Sequence, residues 1–226
     1  MTAVVLLDLD GTLIDSGEGV VASLREGFVG AGLRAPDDDV LRSFIGPPIH
    51  DSARRVGVPP ELHDAVVAGY QRAFAERGNL LARVFDGVPQ ALAALRDAGA
   101  RLVVATAKPH TFAVPVLEHL GLAPLLDGVF GAPDDESDTK GQIIARALAS
   151  VGPDVQAVMV GDREHDVEGA RGNGLACVGV LWGFGDRAEL EAAGARAVVA
   201  APEELVAAVL RLVGLDPLDG TVELAG

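Results

Sequence analysis

The stretch Ala3–Ser16, AVVLLDLDGTLIDS, decides how the rest of the chain is read. An apolar run, Ala3 to Leu7, stops at Asp8, and a second carboxylate, Asp10, follows two residues later. Gly11 and Thr12 then turn the chain before apolar residues resume at Leu13 and Ile14. A buried strand that ends in two acids is costly unless a cation or a chemical task offsets the burial. The question is what sits in front of them.

Downstream of residue 83 the pattern alternates strand with helix. Strands are predicted at Arg101–Ala105, stopping at Thr106, at Gly128–Gly131, at Ala157–Val160, at Ala176–Leu181 and at Ala197–Ala200. Helices are predicted at Val88–Ala98, Thr111–Leu120, from a Thr139/Gln142 capping box to Ser150, and at Glu164–Gly172, Arg187–Ala193 and Glu203–Val213. Unbroken apolar strands alternating with helices imply an α/β fold, a Rossmann-like parallel sheet covered on both faces. In such sheets ligands bind at the carboxyl ends of the strands. Asp8, Thr106 and Asp162 all fall at that edge, and the loop after the weaker strand leads to Lys140.

Residues 17–83 have a different texture. Gly19–Leu33, Asp37–Phe44, Ile49–Val56 and Glu61–Arg77 carry apolar residues at helical spacing, broken by Gly46-Pro47-Pro48 and Pro59-Pro60. No strand is predicted there. The reading is a core domain of residues 1–16 and 84–213, a helical insert of 17–83, and a patternless, mobile tail of 214–226.

Composition narrows the function. Apolar residues make up 49% of the 226, ample for a core, and the net charge is -15. That charge argues against nucleic acid and anionic membrane surfaces as partners. The single cysteine, Cys177, precludes an internal disulfide and fits a reducing compartment. The opening apolar run is too short for a secretory leader, and no stretch is long enough to span a bilayer. A cytoplasmic protein, monomeric or weakly dimeric, is expected. Only two of the 18 basic residues are lysine, Lys108 and Lys140. Where arginine is so favoured, a retained lysine suggests a site that needs a compact ammonium.

Asp8, Asp10, Asp162 and Asp166 would share one crevice. Like charges near 4 Å repel by roughly 4 kcal/mol at an effective dielectric of 20, so the cluster calls for a cation. Oxygen donors without His or Cys select a hard ion, and Mg²⁺ is the expected one. A hard ion, a carboxylate and a lysine suit phosphoryl transfer through an aspartyl-phosphate, with a second acid moving protons.

These residues resemble those of the haloacid dehalogenase-like (HAD) phosphatases. DLDGTLIDS at 8–16, the Thr106 strand end, Lys140 and GDREHD at 161–166 match four ordered motifs across about residues 3–213. FIGPP at 44–48, ATAKP at 105–109, GDREHDVEGARGNG at 161–174 and GVLWGFG at 179–185 resemble the phosphoglycolate phosphatase and 5′-nucleotidase-like branch. The resemblance implies that the insert is a cap closing over the site. It implies Asp8 as nucleophile and metal ligand, and Asp10 as general acid/base lending its carbonyl to Mg²⁺. Thr106 and the Ala107 N–H would hold the phosphoryl group. Lys140 would neutralise Asp8 and the phosphate, Asp162 would ligate the metal, and Asp166 would lie in or behind its ligand shell.

The substrate is then a small phosphorylated metabolite, phosphoglycolate or a nucleoside monophosphate foremost. Gly46, Pro47, Arg54 and Lys108 are candidate substrate contacts, although Lys108 reads as well as a solvated loop lysine. A phosphosugar mutase, a haloacid dehalogenase and a receiver-type signalling module are the competing functions. The extra acids disfavour the dehalogenase, and the chain's length and helical insert disfavour the receiver module. The five histidines show no ligand spacing.

Overall fold

A computed structural model describes residues 2–135 and 137–215. Its centre is a six-stranded, wholly parallel sheet. The strands are β1 (Thr2–Leu7), β4 (Arg101–Pro109), β5 (Gly128–Ala132), β6 (Val155–Gly161), β7 (Ala176–Val180) and β8 (Ala197–Val199). They run in the order β5-β4-β1-β6-β7-β8, so β1 is central and the opening stretch is flanked by β4, which carries Thr106, and β6, which leads into Asp162.

Alternation along β1 sets which way the acids face. Val5 and Leu7 join Leu102, Val104, Val158 and Val160 on one face. Val4 and Leu6 join Val103, Ala105 and Met159 on the other. This second face is covered by Ile143 and Ile144 of α7 (Lys140–Val151) and Val167 and Ala170 of α8 (Glu164–Gly172). Asp8 continues the parity of Val4 and Leu6. Its backbone N–H still pairs with Val160 O at 2.9 Å, so its carboxylate emerges where α7 and α8 begin. The first face carries α5 (Val88–Asp97), α6 (His110–His119) and α10 (Pro202–Leu212), and α9 (Arg187–Ala193) packs Leu190 onto the second. The Thr139/Gln142 capping box that opens α7 is present as expected, with Thr139 N–H donating to Gln142 Oε1 at 2.7 Å.

Four helices precede α5: α1 (Gly17–Gly30), α2 (Asp38–Arg42), α3 (Ile49–Arg55) and α4 (His63–Glu76). They have an apolar cluster of their own, including Val20, Leu24, Phe28, Leu41, Phe44, Tyr70 and Phe74. α1 and α4 approach without side chains between them at Gly27 and Gly69, where an added Cβ at either would meet the opposite backbone.

Two sequence expectations are corrected. A short antiparallel ribbon, β2 (Ile14–Asp15) with β3 (Arg83–Val84), ties together the two chain segments that lead into and out of the helices. Neither piece is long enough to show strand periodicity, and Arg83 lies where no strand was expected. β4 also does not stop at Thr106. It bulges there and pairs again at Pro109 with Ala132, and the Lys108 N–H donates to Thr106 Oγ1 at 3.1 Å across the irregularity. The expected tail falls, from residue 216 onward, outside the described residues. Among the described residues no helix is long and apolar enough to cross a membrane.

Candidate active site

The turn after β1 is shaped by what lies beside it. Gly11 has φ +87°, and a Cβ there would strike the Asp162 carboxylate, so glycine is required both by backbone conformation and by space. Thr12 Oγ1 donates to Asp162 Oδ1 at 3.3 Å, and the Phe184 N–H donates to Asp162 Oδ2 at 2.7 Å. Trp182 Nε1 donates to Thr12 O at 3.0 Å. The end of β1, the end of β6 and the loop after β7 are thereby fixed as one unit around a fully buried Asp162.

Lys140, the first residue of α7, places Nζ 2.5 Å from Asp8 Oδ1 and 2.7 Å from Asp166 Oδ1. A cation at a helix N-terminus opposes the helix dipole, and here the two carboxylates outweigh that. Asn173 Nδ2 donates to Gly141 O and Gly169 O, at 2.9 and 2.8 Å, joining the start of α7 to α8. Asp166 also accepts the Arg163 N–H at 3.1 Å. It both caps α8 and faces the site.

Lys108 is not a solvated loop lysine. It is buried, with Nζ 3.0 and 2.9 Å from the two oxygens of Asp10. The same Nζ lies 4.5 Å from the centroid of the Phe74 ring on α4, within cation–π range. Asp10 thus has a counter-ion of its own, distinct from Lys140.

The acids that remain are under strain. Burial pushes the Asp8 carboxyl up to about 6, opposed by Lys140 and reinforced by Asp166 and Asp10. Burial likewise holds Asp162 well above the usual carboxylate range, with Asp166 and Asp8 adding to it. Burial works against the Lys140 charge, but Asp166 and Asp8 more than compensate and hold it above the usual lysine range. Carboxylate oxygens of Asp8, Asp162 and Asp166 lie within 4.8 Å of one another. Four carboxylates face two ammonium groups here. The excess of acid calls for a cation, and an all-oxygen donor set fits Mg²⁺. Asp8, Asp162 and Asp166 are placed to hold it. The Asp10 carboxylate is turned to Lys108 and is not part of that group.

A cavity of ≈ 480 Å³ opens over these groups. Asp8, Asp10, Thr106, Ala107, Lys108, Lys140 and Asp166 line it from the sheet side, and Gly46 and Pro47 from the helical side. Arg54 does not line it: its guanidinium turns to Asp51 Oδ1 at 2.7 Å on the exposed surface of α3. That corrects its place among the candidate contacts. His165 lines the cavity without any metal-ligand geometry. Thr12, Phe184 and Trp182 stood in motifs already quoted but carried no assigned task. Arg163 was also missed. It donates from Nη1 to Ile45 O at 2.7 Å and from Nε to Glu189 Oε1 at 2.8 Å, bridging the helical insert and the sheet.

A parallel doubly wound sheet with an acid at the end of its central strand, a lysine beside it and two further acids behind defines a Rossmann-like α/β protein whose acidic site lies at the carboxyl edge of its strands. The chain belongs to the haloacid dehalogenase-like hydrolase family, whose model matches residues 5–180. It is 40% identical over 183 residues to the tyrosine-protein kinase PtkA of Mycobacterium tuberculosis, covering 80% of this chain. The chain spans 62% of that relative's length. It is 38% identical over 191 residues to a 5′-nucleotidase of Pseudomonas aeruginosa, covering 83% of this chain and 86% of that one. The crystal structure of a predicted phosphatase from Clostridium acetobutylicum superposes with a TM-score of 0.87 at 36% identity, covering 93% of this chain and 99% of that one.

Proposed function

We propose that the protein is a Mg²⁺-dependent phosphomonoester hydrolase acting on a small phosphorylated metabolite. The observation that carries this is Asp8 at the end of the central strand, held by Lys140 beside the Asp162–Asp166 pair and open to the cavity. In this reading an Asp8 oxygen attacks phosphorus. With Asp10 protonated when substrate is bound, the ester oxygen leaves with that proton, and Asp8 carries the phosphoryl group. Water then attacks that phosphorus, Asp10 takes its proton, and phosphate departs as Asp8 is regenerated. Lys140 stabilises charge on the transferring oxygens, and Thr106 with the Ala107 N–H holds them. Bound Mg²⁺ would supply further charge neutralisation to the phosphoryl oxygens. Residues 17–83 act as a cap over a core of 1–16 and 84–213, and the protein works in the cytoplasm as a monomer or weak homodimer.

The test is phosphate release from a panel of phosphate esters with and without a chelator. Turnover that needs Mg²⁺ and vanishes in Asp8→Asn supports the reading. Full turnover in Asp8→Asn refutes it. The relationship to PtkA favours a second reading, transfer of the Asp8 phosphoryl group to a protein tyrosine instead of water. Label from γ-phosphate ATP appearing on tyrosine, and not as free phosphate, would establish that route in its place.

A further inference from the structure

The cavity over Asp8 has a polar end and an apolar end. Its apolar lining is Phe44, Ile45, Pro47, Ile49 and Tyr70 of the helical insert, with Phe112 of α6 packed against their cluster. Phe112 is itself braced edge-on by Phe74 at 5.4 Å between centroids. Each lysine or arginine that lines the cavity is already engaged. Lys140 is held by Asp8 and Asp166, Lys108 by Asp10, and Arg163 by Glu189 and Ile45 O. Of the other acids that line it, Glu168 carries the wrong sign for a second anion, and Asp51 is paired with Arg54.

These facts discriminate between leaving groups. A carboxylate or a second phosphate on the substrate would be buried among rings and prolyl methylenes without a counter-charge, an uncompensated burial. An uncharged ring gains contact area there, and edge or face contacts with Phe112 and Tyr70 besides. The volume is in the range that encloses ligands of drug size, which a two-carbon leaving group would leave largely empty.

We propose that this site takes phosphate monoesters whose leaving group is uncharged and aromatic, an aryl phosphate or a nucleoside 5′-monophosphate. It discriminates against esters with a second anion, phosphoglycolate and sugar bisphosphates among them. The inference rests on the phosphatase reading and specifies the substrate class of that same site.

The experiment compares kcat/KM, with Mg²⁺ present, for phenyl phosphate, adenosine 5′-monophosphate, glycerol 3-phosphate and phosphoglycolate. At least one aromatic ester is expected to exceed phosphoglycolate by about tenfold or more, the worth of one unpaired buried charge at its smallest. Which aromatic ester leads separates the aryl from the nucleoside source. Two variants read the wall directly. Pro47→Arg, which adds a cation to the apolar end, should raise kcat/KM for phosphoglycolate by about tenfold. Phe112→Ala should bring the ratio of the better aromatic ester to glycerol 3-phosphate down toward unity. Phosphoglycolate hydrolysed as well as or better than both aromatic esters overturns the inference and leaves the phosphatase reading standing. No turnover of any ester overturns both.

Discussion

At the sheet edge the cavity is built from paired charge, and across from it the helices present rings and aliphatic side chains. The two walls also differ in how they are held. Asp8, Asp162, Asp166 and Lys140 are fixed by hydrogen bonds and ion pairs that leave them little freedom. Phe44, Ile45 and Tyr70 are fixed by packing within the helical cluster, and Arg163 to Ile45 O is the hydrogen bond that stitches that wall to the sheet side. Chemistry that tolerates little misplacement sits on the rigid wall. The choice of leaving group, in the reading proposed above, sits on the wall that is held mainly by packing.

The largest expected effect breaks the charged wall. Asp8→Asn keeps the shape and removes the attacking charge, and turnover should fall by about 10³-fold or more. Phosphate release under saturating substrate measures it. A neighbouring change probes the junction of the walls. Lys108→Met removes the counter-ion of Asp10 and the cation over Phe74. Because Asp10 is the proposed proton carrier, kcat should drop by about 10²-fold with a smaller change in KM. Equal losses in the binding of product phosphate would instead make Lys108 a substrate contact.

The two walls were unequally legible in the sequence. Asp8, Asp162 and Lys140 announce themselves because each stands at the end of a local apolar run or opens a capped helix. The parallel sheet follows from the same alternation, and its order around β1 does not. The Asp10–Lys108 pair was not legible, because its members are 98 residues apart and Lys108 lies just past where the apolar run of β4 ends. Arg54 was singled out for being basic near Gly46-Pro47-Pro48, but its guanidinium is taken up by Asp51 one turn back and it does not line the cavity. In the insert, spacing identifies which residues are apolar. It does not say whether Tyr70 or Phe44 spends its exposed edge on the helical core or on the cavity. The β2–β3 ribbon is too short to leave any periodic trace.

Metal binding should show as a pH-dependent gain in stability. The Asp8 carboxyl sits at about 6 against an unperturbed 3.8, raised first by burial. A carboxyl raised on folding contributes stability that is complete below its unfolded value and is lost as pH rises through its folded value. Asp162 is pushed the same way. The metal-free protein should therefore lose Tm as pH rises from about 4 to about 7. Mg²⁺ at a hundredfold excess over Kd adds about 2.7 kcal/mol, or roughly 5–10 °C for a chain of this size. That gain should be full near pH 7 and small near about pH 4, where protons occupy the same carboxylates. A Mg²⁺ shift independent of pH would place the ion elsewhere.

The smallest expected effect tests the apolar wall from behind. Arg54 and Asp51 form an exposed i,i+3 pair at 2.7 Å, with side chains 69% and 60% accessible. Exposed pairs of this kind contribute about 0–1 kcal/mol. Arg54→Ala should change Tm by no more than a few degrees and kcat/KM by less than about twofold for every ester. Its value lies in the contrast with Pro47→Arg on the loop just before α3. If specificity is set by the cavity's inner surface, a cation gained at 47 matters and one lost at 54 does not. A large change in Arg54→Ala, above all one confined to anionic substrates, would mean that the guanidinium swings inward when substrate binds. The helical wall would then be a charged surface during turnover, and its contrast with the sheet edge would hold only for the free protein.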